Sequence, residues 1–208
     1  AALWIDKDLT IGNSLIGGIG DDTIIGTGGN DIISGGKGND TLSGGEGRDE
    51  LTGGEGNDTL TGGGGSDTLT GGDGDDILRD SGDGDNLNGG AGNDIFDINL
   101  STSSKYATSA FIGDFTPGED KIDLKDLFNL DASTIAANLN HYIFAVSSTG
   151  SNPYTLLLLN KEGDASNAMT SLSQGYQYAD TNLQIFSDTN TNDLISMFNN
   201  TDLSEYIL

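Results

Sequence analysis

The chain has 208 residues, of which only 34% are hydrophobic, too few for an ordinary packed core of this length unless something else contributes. Acidic residues outnumber basic ones 33 to 8, a formal charge of -25, which makes nucleic acid and anionic lipid poor partners and favours multivalent cations. The absence of cysteine excludes disulfides and zinc-thiolate sites. No stretch reaches the roughly 18 to 20 apolar residues that would give a membrane span. The start at Ala1 lacks the basic segment and apolar run of a cleavable signal peptide, and it reads like a piece of a longer protein with further domains upstream.

In chain order, the first feature is a weak unit, DLTIGNSLI, from Asp8 to Ile16. Through Asn13 and Leu15 it keeps the register of the repeats that begin at Gly17, so residues 1–16 are expected to cap the N-terminal end. Almost all of the 33 glycines fall between Gly12 and Gly92 and recur with a period of nine. Residues 17–97 divide into nine units, GGIGDDTII, GTGGNDIIS, GGKGNDTLS, GGEGRDELT, GGEGNDTLT, GGGGSDTLT, GGDGDDILR, DSGDGDNLN and GGAGNDIFD. The sixth position is always aspartate: Asp22, Asp31, Asp40, Asp49, Asp58, Asp67, Asp76, Asp85 and Asp94. The eighth is always apolar, from Ile24 to Phe96.

The first six residues of a unit are expected to turn tightly and present carbonyl oxygens inward, a geometry glycine tolerates best. The last three make a minimal strand with the eighth residue inward and the seventh and ninth outward. Two units complete one coil, so unit n stacks on unit n+2 about 4.8 Å away. The aspartates then fall into two columns. Carboxylates about 5 Å apart repel by roughly 3 kcal/mol at an effective dielectric of 20. One inward apolar side chain per nine residues is too thin a core to offset that, so metal binding has to supply folding free energy. A hard cation taking six or more oxygens in flexible geometry is calcium; magnesium demands a stricter octahedron. Seven stacked pairs imply about seven ions. In the eighth unit Asp80, Ser81 and Asp83 depart from the pattern, and the sites near Asp67 and Asp85 are expected to be weaker.

These units resemble the RTX nonapeptide GGxGxDxUx, a calcium β-roll motif of exported bacterial toxins, proteases, lipases and giant adhesins. The resemblance implies that calcium is held by the sixth-position aspartates and by carbonyls near the second and fourth positions. Matched onto this chain, those include Gly36, Gly38, Gly45, Gly47, Gly54, Gly56, Gly63, Gly65, Gly72 and Gly74. The expected fold is all-β, a calcium-bound parallel β-roll followed by a small β-rich C-terminal cap and secretion module over residues 98–208.

After Asp97 glycine becomes scarce and the period stops. Phe111 to Leu127 carries a turn at Pro117 and Gly118 between apolar runs, which predicts a hairpin or strand pair followed by a short helix that closes the roll. Further strands are predicted at Tyr142–Val146, Tyr154–Leu159 and Leu183–Phe186. Asp114 and Asp120 are candidates for a terminal calcium site, against the plainer reading of turn and strand-end carboxylates. Asp188, Asn190, Asn192 and Asp193 spell DTNTND, similar to the start of a calcium loop but without the glycine and distal glutamate of an EF-hand. Ile112 to Leu124 is similar to the I-x-D-F-x-x-G-x-D-K-I-D-L segment of the type I secretion target region of RTX proteins. The chain closes on Glu205, Tyr206, Ile207 and Leu208, which resembles the uncleaved C-terminal signal of ATP-driven type I exporters.

No catalytic constellation is present: HExxH, GxSxG and P-loop patterns are absent, and the single histidine, His141, lies beside an apolar strand. The expected function is therefore a noncatalytic calcium-binding module that folds on export. The partners are the ATP-driven exporter and its outer-membrane channel, and the destination is the medium or the cell surface. The parent is expected to be a repeat adhesin of a Gram-negative bacterium. The alternatives are an appendage of a secreted metalloprotease, lipase or polysaccharide-modifying enzyme, and direct recognition of a surface such as ice. Outward Thr41, Thr59, Thr61, Thr68 and Thr70 motivate the last, but Glu50 and Arg79 interrupt their rows, and β-propensity accounts for the threonines.

Overall fold

Short apolar-centred strands separated by glycine turns wind here into a stack of coils, each contributing one strand to each of two sheets. The computed structural model describes residues 2–3, 11–81, 84–98, 108–116, 118–123, 143–147, 155–159 and 181–185. The sequence features at Asp188, Asn190, Asn192, Asp193, His141 and residues 205–208 lie outside these. Among the described residues no helix is long and apolar enough to cross a membrane.

One sheet has seven parallel strands in the order β1 (Ala2–Leu3), β3 (Thr23–Gly28), β5 (Thr41–Glu46), β7 (Thr59–Gly64), β9 (Ile77–Asp80), β11 (Ile95–Ile98) and β13 (Lys121–Asp123). The other interleaves β2 (Ser14–Ile19), β4 (Ile32–Lys37), β6 (Glu50–Glu55), β8 (Thr68–Asp73), β10 (Asn86–Ala91) and β12 (Thr108–Ile112). It then continues through β16 (Thr181–Ile185), β15 (Thr155–Leu159) and β14 (Ile143–Ser147). Within the roll every odd strand pairs with the next odd strand and every even with the next even. Leu42, for example, sits opposite Leu60, and Leu51 opposite Leu69. This is the predicted parallel β-roll, with two units per coil.

The inward eighth positions form the core. Ile24, Ile33, Leu42, Leu51, Leu60, Leu69, Leu78, Leu87 and Phe96 are all buried, and Leu15 of the N-terminal unit joins them. At the C-terminal end Ile98, Ala110, Ile112, Phe115 and Ile122 enlarge the core, with the Phe96 and Phe115 rings tilted at 45° and their centroids 6.1 Å apart.

The structure corrects the expected local geometry in two respects. Most strands of the roll are six residues long rather than three, because the strand runs on through the first three residues of the next unit, whose second and third stay paired: Gly36 with Gly54 and Lys37 with Glu55. Only the fourth to sixth residues turn. The positive φ at the second glycine, such as 116° at Gly36, redirects the strand without ending it, as in a bulge. Thr27 holds the same position in its unit with φ 101°, the single non-glycine residue in that region among the described residues.

The second correction concerns Phe111 to Leu127, where the expected hairpin does not form. β12 and β13 do not pair with each other; β12 adds to β10 in one sheet and β13 to β11 in the other. The reason lies in the residues: FTPGEDKID, from Phe115 to Asp123, places Gly118 fourth, Asp120 sixth and Ile122 eighth, so it behaves as a tenth repeat unit. Gly118 has φ 90° and Ile122 is buried opposite Phe96. The strands predicted near residues 142, 154 and 183 are present, and β14, β15 and β16 form an antiparallel set joined to β12 through a parallel β12–β16 pair.

Candidate metal centre

The sixth-position aspartates are among the most buried charged groups described. Asp31, Asp40, Asp49, Asp58, Asp76, Asp85 and Asp94 are each at most 2% exposed. Local geometry puts them there: each follows the turn made by the fourth and fifth residues and immediately precedes the inward-facing strand. They stack in two columns, as the spacing predicts. One runs Asp31, Asp49, Asp67, Asp85 and the other Asp22, Asp40, Asp58, Asp76, Asp94.

Within a column each backbone N–H donates to the carboxylate Oδ1 one coil on. Asp22 bonds Asp40 at 2.7 Å, Asp40 bonds Asp58 at 2.7 Å, Asp58 bonds Asp76 at 2.7 Å and Asp76 bonds Asp94 at 2.9 Å. The other column repeats the pattern through Asp31, Asp49 and Asp67. Asn13 opens that column by donating its N–H to Asp31 Oδ1 at 2.6 Å. Asp120 closes the other, accepting the Asp94 N–H at 3.0 Å.

The second carboxylate oxygen is different. Oδ2 of Asp31, Asp40, Asp49, Asp58, Asp76, Asp85 and Asp94 is buried and receives no donor. Leaving such an oxygen charged inside a protein is costly without a cation or a proton. The carboxyl groups register this. Burial, reinforced by the neighbouring carboxylates of the column, pushes Asp76 up to about 7 and Asp94 up to about 6, against the lowering effect of their backbone N–H bonds. Asp49 and Asp58 are raised for the same reason, burial first.

The walls of this space are glycine for want of room. A Cβ on Gly35, Gly44, Gly53, Gly71 or Gly89, all first positions, would fall inside the radius of its own unit's sixth-position Oδ2. The second and fourth glycines are crowded by carbonyl oxygens of the preceding coil: Gly54 by Gly36 O, Gly56 by Gly38 O, Gly63 by Gly45 O, Gly65 by Gly47 O, Gly72 by Gly54 O and Gly74 by Gly56 O. The oxygen-bearing positions inferred from the resemblance are therefore stacked coil on coil beside the carboxylates. Among the described residues no three acidic, imidazole or thiol side chains converge, so a cation here would draw on carboxylates in pairs and on backbone oxygens. A hard cation of flexible coordination fits that donor set.

Sequence reasoning passed over a third ladder. The exposed fifth-position side chains accept backbone N–H groups from the next coil: Asn57 donates to Asn39 Oδ1 at 2.9 Å, Asp75 to Asn57 Oδ1 at 3.0 Å and Asn93 to Asp75 Oδ1 at 2.8 Å. The recurrence of Asn or Asp before the invariant aspartate was the available signal. The terminal candidates also prove to be bonded groups. Asp114 accepts from Gly89 N and Gly90 N at 2.9 and 2.7 Å, and Asp120 Oδ2 accepts from Thr116 N at 2.7 Å. The threonine rows are broken as expected: Thr59 lies beside Ile77, Thr61 beside Arg79, and Thr68 between Glu50 and Asn86.

Against families of known proteins, residues 12–42, 43–78 and 70–97 match the model of the RTX calcium-binding nonapeptide repeat. Residues 12–97 are RTX calcium-binding repeats. Repeats of this kind are calcium-binding. A search of curated proteins finds no match. Among solved structures the chain is similar to a solution structure of a subunit of the Azotobacter vinelandii mannuronan C5-epimerase. The identity is 28%, with 68% of this chain and 71% of that one covered, at a TM-score of 0.45.

Proposed function

We propose that this chain is a calcium-triggered folding module belonging to a larger exported protein, with its C-terminal end read by a type I exporter. The observation that carries the proposal is the run of buried Oδ2 atoms without donors, Asp40, Asp58, Asp76 and Asp94 on one side and Asp31, Asp49 and Asp85 on the other. Calcium, when bound, supplies the positive charge that these oxygens lack. The ligands are the sixth-position carboxylates and the carbonyls of the second and fourth positions, about seven sites in all.

In the low calcium of the cytosol the columns repel and the chain stays unfolded, fit to be threaded through a channel. In the millimolar calcium outside, neutralised carboxylates let each coil stack on the last, and the folded roll opposes return. The similarity of Ile112–Leu124 and of the last four residues to type I secretion regions supports export, and it supports a repeat adhesin at the cell surface as the parent. An enzyme parent would keep the same roll as an appendage, and the residues encoded upstream of Ala1 distinguish the two.

Export is tested by expressing the chain in cells with and without a type I exporter of the RTX class, in medium with calcium or with chelator. The expected result is exporter-dependent release, with folded, protease-resistant protein only in calcium. Retention in the cytosol in the presence of the exporter contradicts the proposal.

A further inference from the structure

The first position of a unit faces its own sixth-position carboxylate, and eight of the nine units put glycine there, where a Cβ would meet that carboxylate. The eighth unit puts Asp80 there. Asp80 ends β9 opposite Ile98 and is only 1% exposed, at the position from which, in the other units, a Cβ would reach the sixth-position Oδ2. Asp85 is fully buried; its Oδ1 accepts the Asp67 N–H at 2.8 Å, while its Oδ2 has no donor. Two carboxylates buried within one unit are costly to keep charged without a counter-ion. The adjacent basic residue does not supply one, since Arg79 is turned outward and bonds Asp97 at 3.1 Å.

The same unit lacks the second and fourth glycines, having Ser81 and Asp83 instead. The loss of those glycines and the gain of an inward carboxylate occur together, in one unit of nine. We infer that Asp80 is an additional calcium ligand, which joins Asp85 to make a site with two carboxylates from one turn where the other turns provide one. Affinity at oxygen-donor sites rises with the number of charged ligands. The site in the eighth unit is therefore the tightest of the roll, the reverse of what its irregular sequence suggests.

This inference rests on the calcium reading of the roll, and the test separates the two. Calcium binding to the whole chain is followed by calorimetry for the wild type, Asp80→Asn and Asp80→Gly, the last restoring the glycine of the other units. The wild type is expected to show one step at least about tenfold tighter than the rest, absent from both variants. Should Asp80→Asn fail to fold in calcium, Asp80→Gly still decides the matter. Isotherms identical to wild type, or a tighter first step in Asp80→Gly, overturn the role of Asp80 while leaving the calcium roll intact. Absence of calcium binding by the wild type overturns both.

Discussion

Asp94 donates its backbone N–H to Asp120 Oδ1 at 3.0 Å, so the aspartate column that begins in the nine regular units ends on a carboxylate beyond them, in the tenth. Asp120 differs from the other members of the column: its second oxygen is also bonded, to the Thr116 N–H at 2.7 Å. Both of its oxygens thus tie the end of the column to backbone N–H groups. Asp120→Ala removes a buried acceptor from two N–H groups and is expected to cost about 1–3 kcal/mol in calcium. Urea unfolding in calcium measures it, and an unchanged midpoint would show that the end of the roll is held some other way.

Removal of one ligand from the middle of a column should act on calcium more than on the fold. Asp58→Asn keeps an Oδ1 acceptor for the Asp40 N–H, at 2.7 Å in the wild type, but loses the charge of the donor-free Oδ2. The calcium midpoint of folding, read by circular dichroism, is expected to rise by about tenfold, as for the loss of one charged oxygen ligand. An unchanged midpoint would remove Asp58 from the ligand set.

The glycines divide into two kinds that mutation can separate. Gly53→Ala would drive a Cβ into Asp58 Oδ2 and to 2.7 Å from Gly71 O, whereas Gly18→Ala meets nothing within 4 Å and carries only the strain of φ 114°. The first should destabilise the calcium form by more than about 3 kcal/mol, the second by roughly 1–2 kcal/mol. Equal losses in thermal unfolding would mean that the space beside the carboxylate is not confined.

The raised carboxyl groups fix the direction of the pH response. Burial and column charges lift Asp94 to about 6, Asp76 to about 7 and, with Asp80 beside it, Asp85 to about 8, from an ordinary 3.8. For a carboxyl raised in the folded state, stability is fully present below the unfolded value and is lost as pH rises through the folded one. The metal-free roll should thus gain β-structure near pH 4 and lose it between about pH 4 and pH 8. Calcium binding, which needs the ionised form, should tighten from about pH 6 to pH 8. Circular dichroism of metal-free protein across this range checks the first, and a calcium midpoint that rises with pH would contradict the second.

The two columns were legible in the sequence because the spacing between Asp40 and Asp58, and between Leu42 and Leu60, is a strict multiple of the repeat. The length of the strands was hidden, because Gly36 and Lys37 carry no strand propensity of their own and pair only through the coils above and below. Asp120 reads as a turn residue because it lies 26 residues after Asp94 instead of 18, even though Gly118 and Ile122 keep the internal pattern of a unit. Apolar runs located β14, β15 and β16, but nothing local to Thr181–Ile185 announces a parallel partner at Thr108–Ile112. Asp80 looks like a lapse in the motif; only its burial at the position that faces the sixth-position carboxylate gives it a role.

If the donor-free Oδ2 atoms of the two columns are what calcium neutralises, cation binding and folding of the roll are one event. The decisive measurement is far-ultraviolet circular dichroism of the whole chain at neutral pH, titrated with calcium from a chelated start. A coil spectrum in chelator is predicted, with a cooperative change to β-structure as calcium is added and full reversal when chelator is restored. A β spectrum that is the same in chelator and in calcium would contradict it.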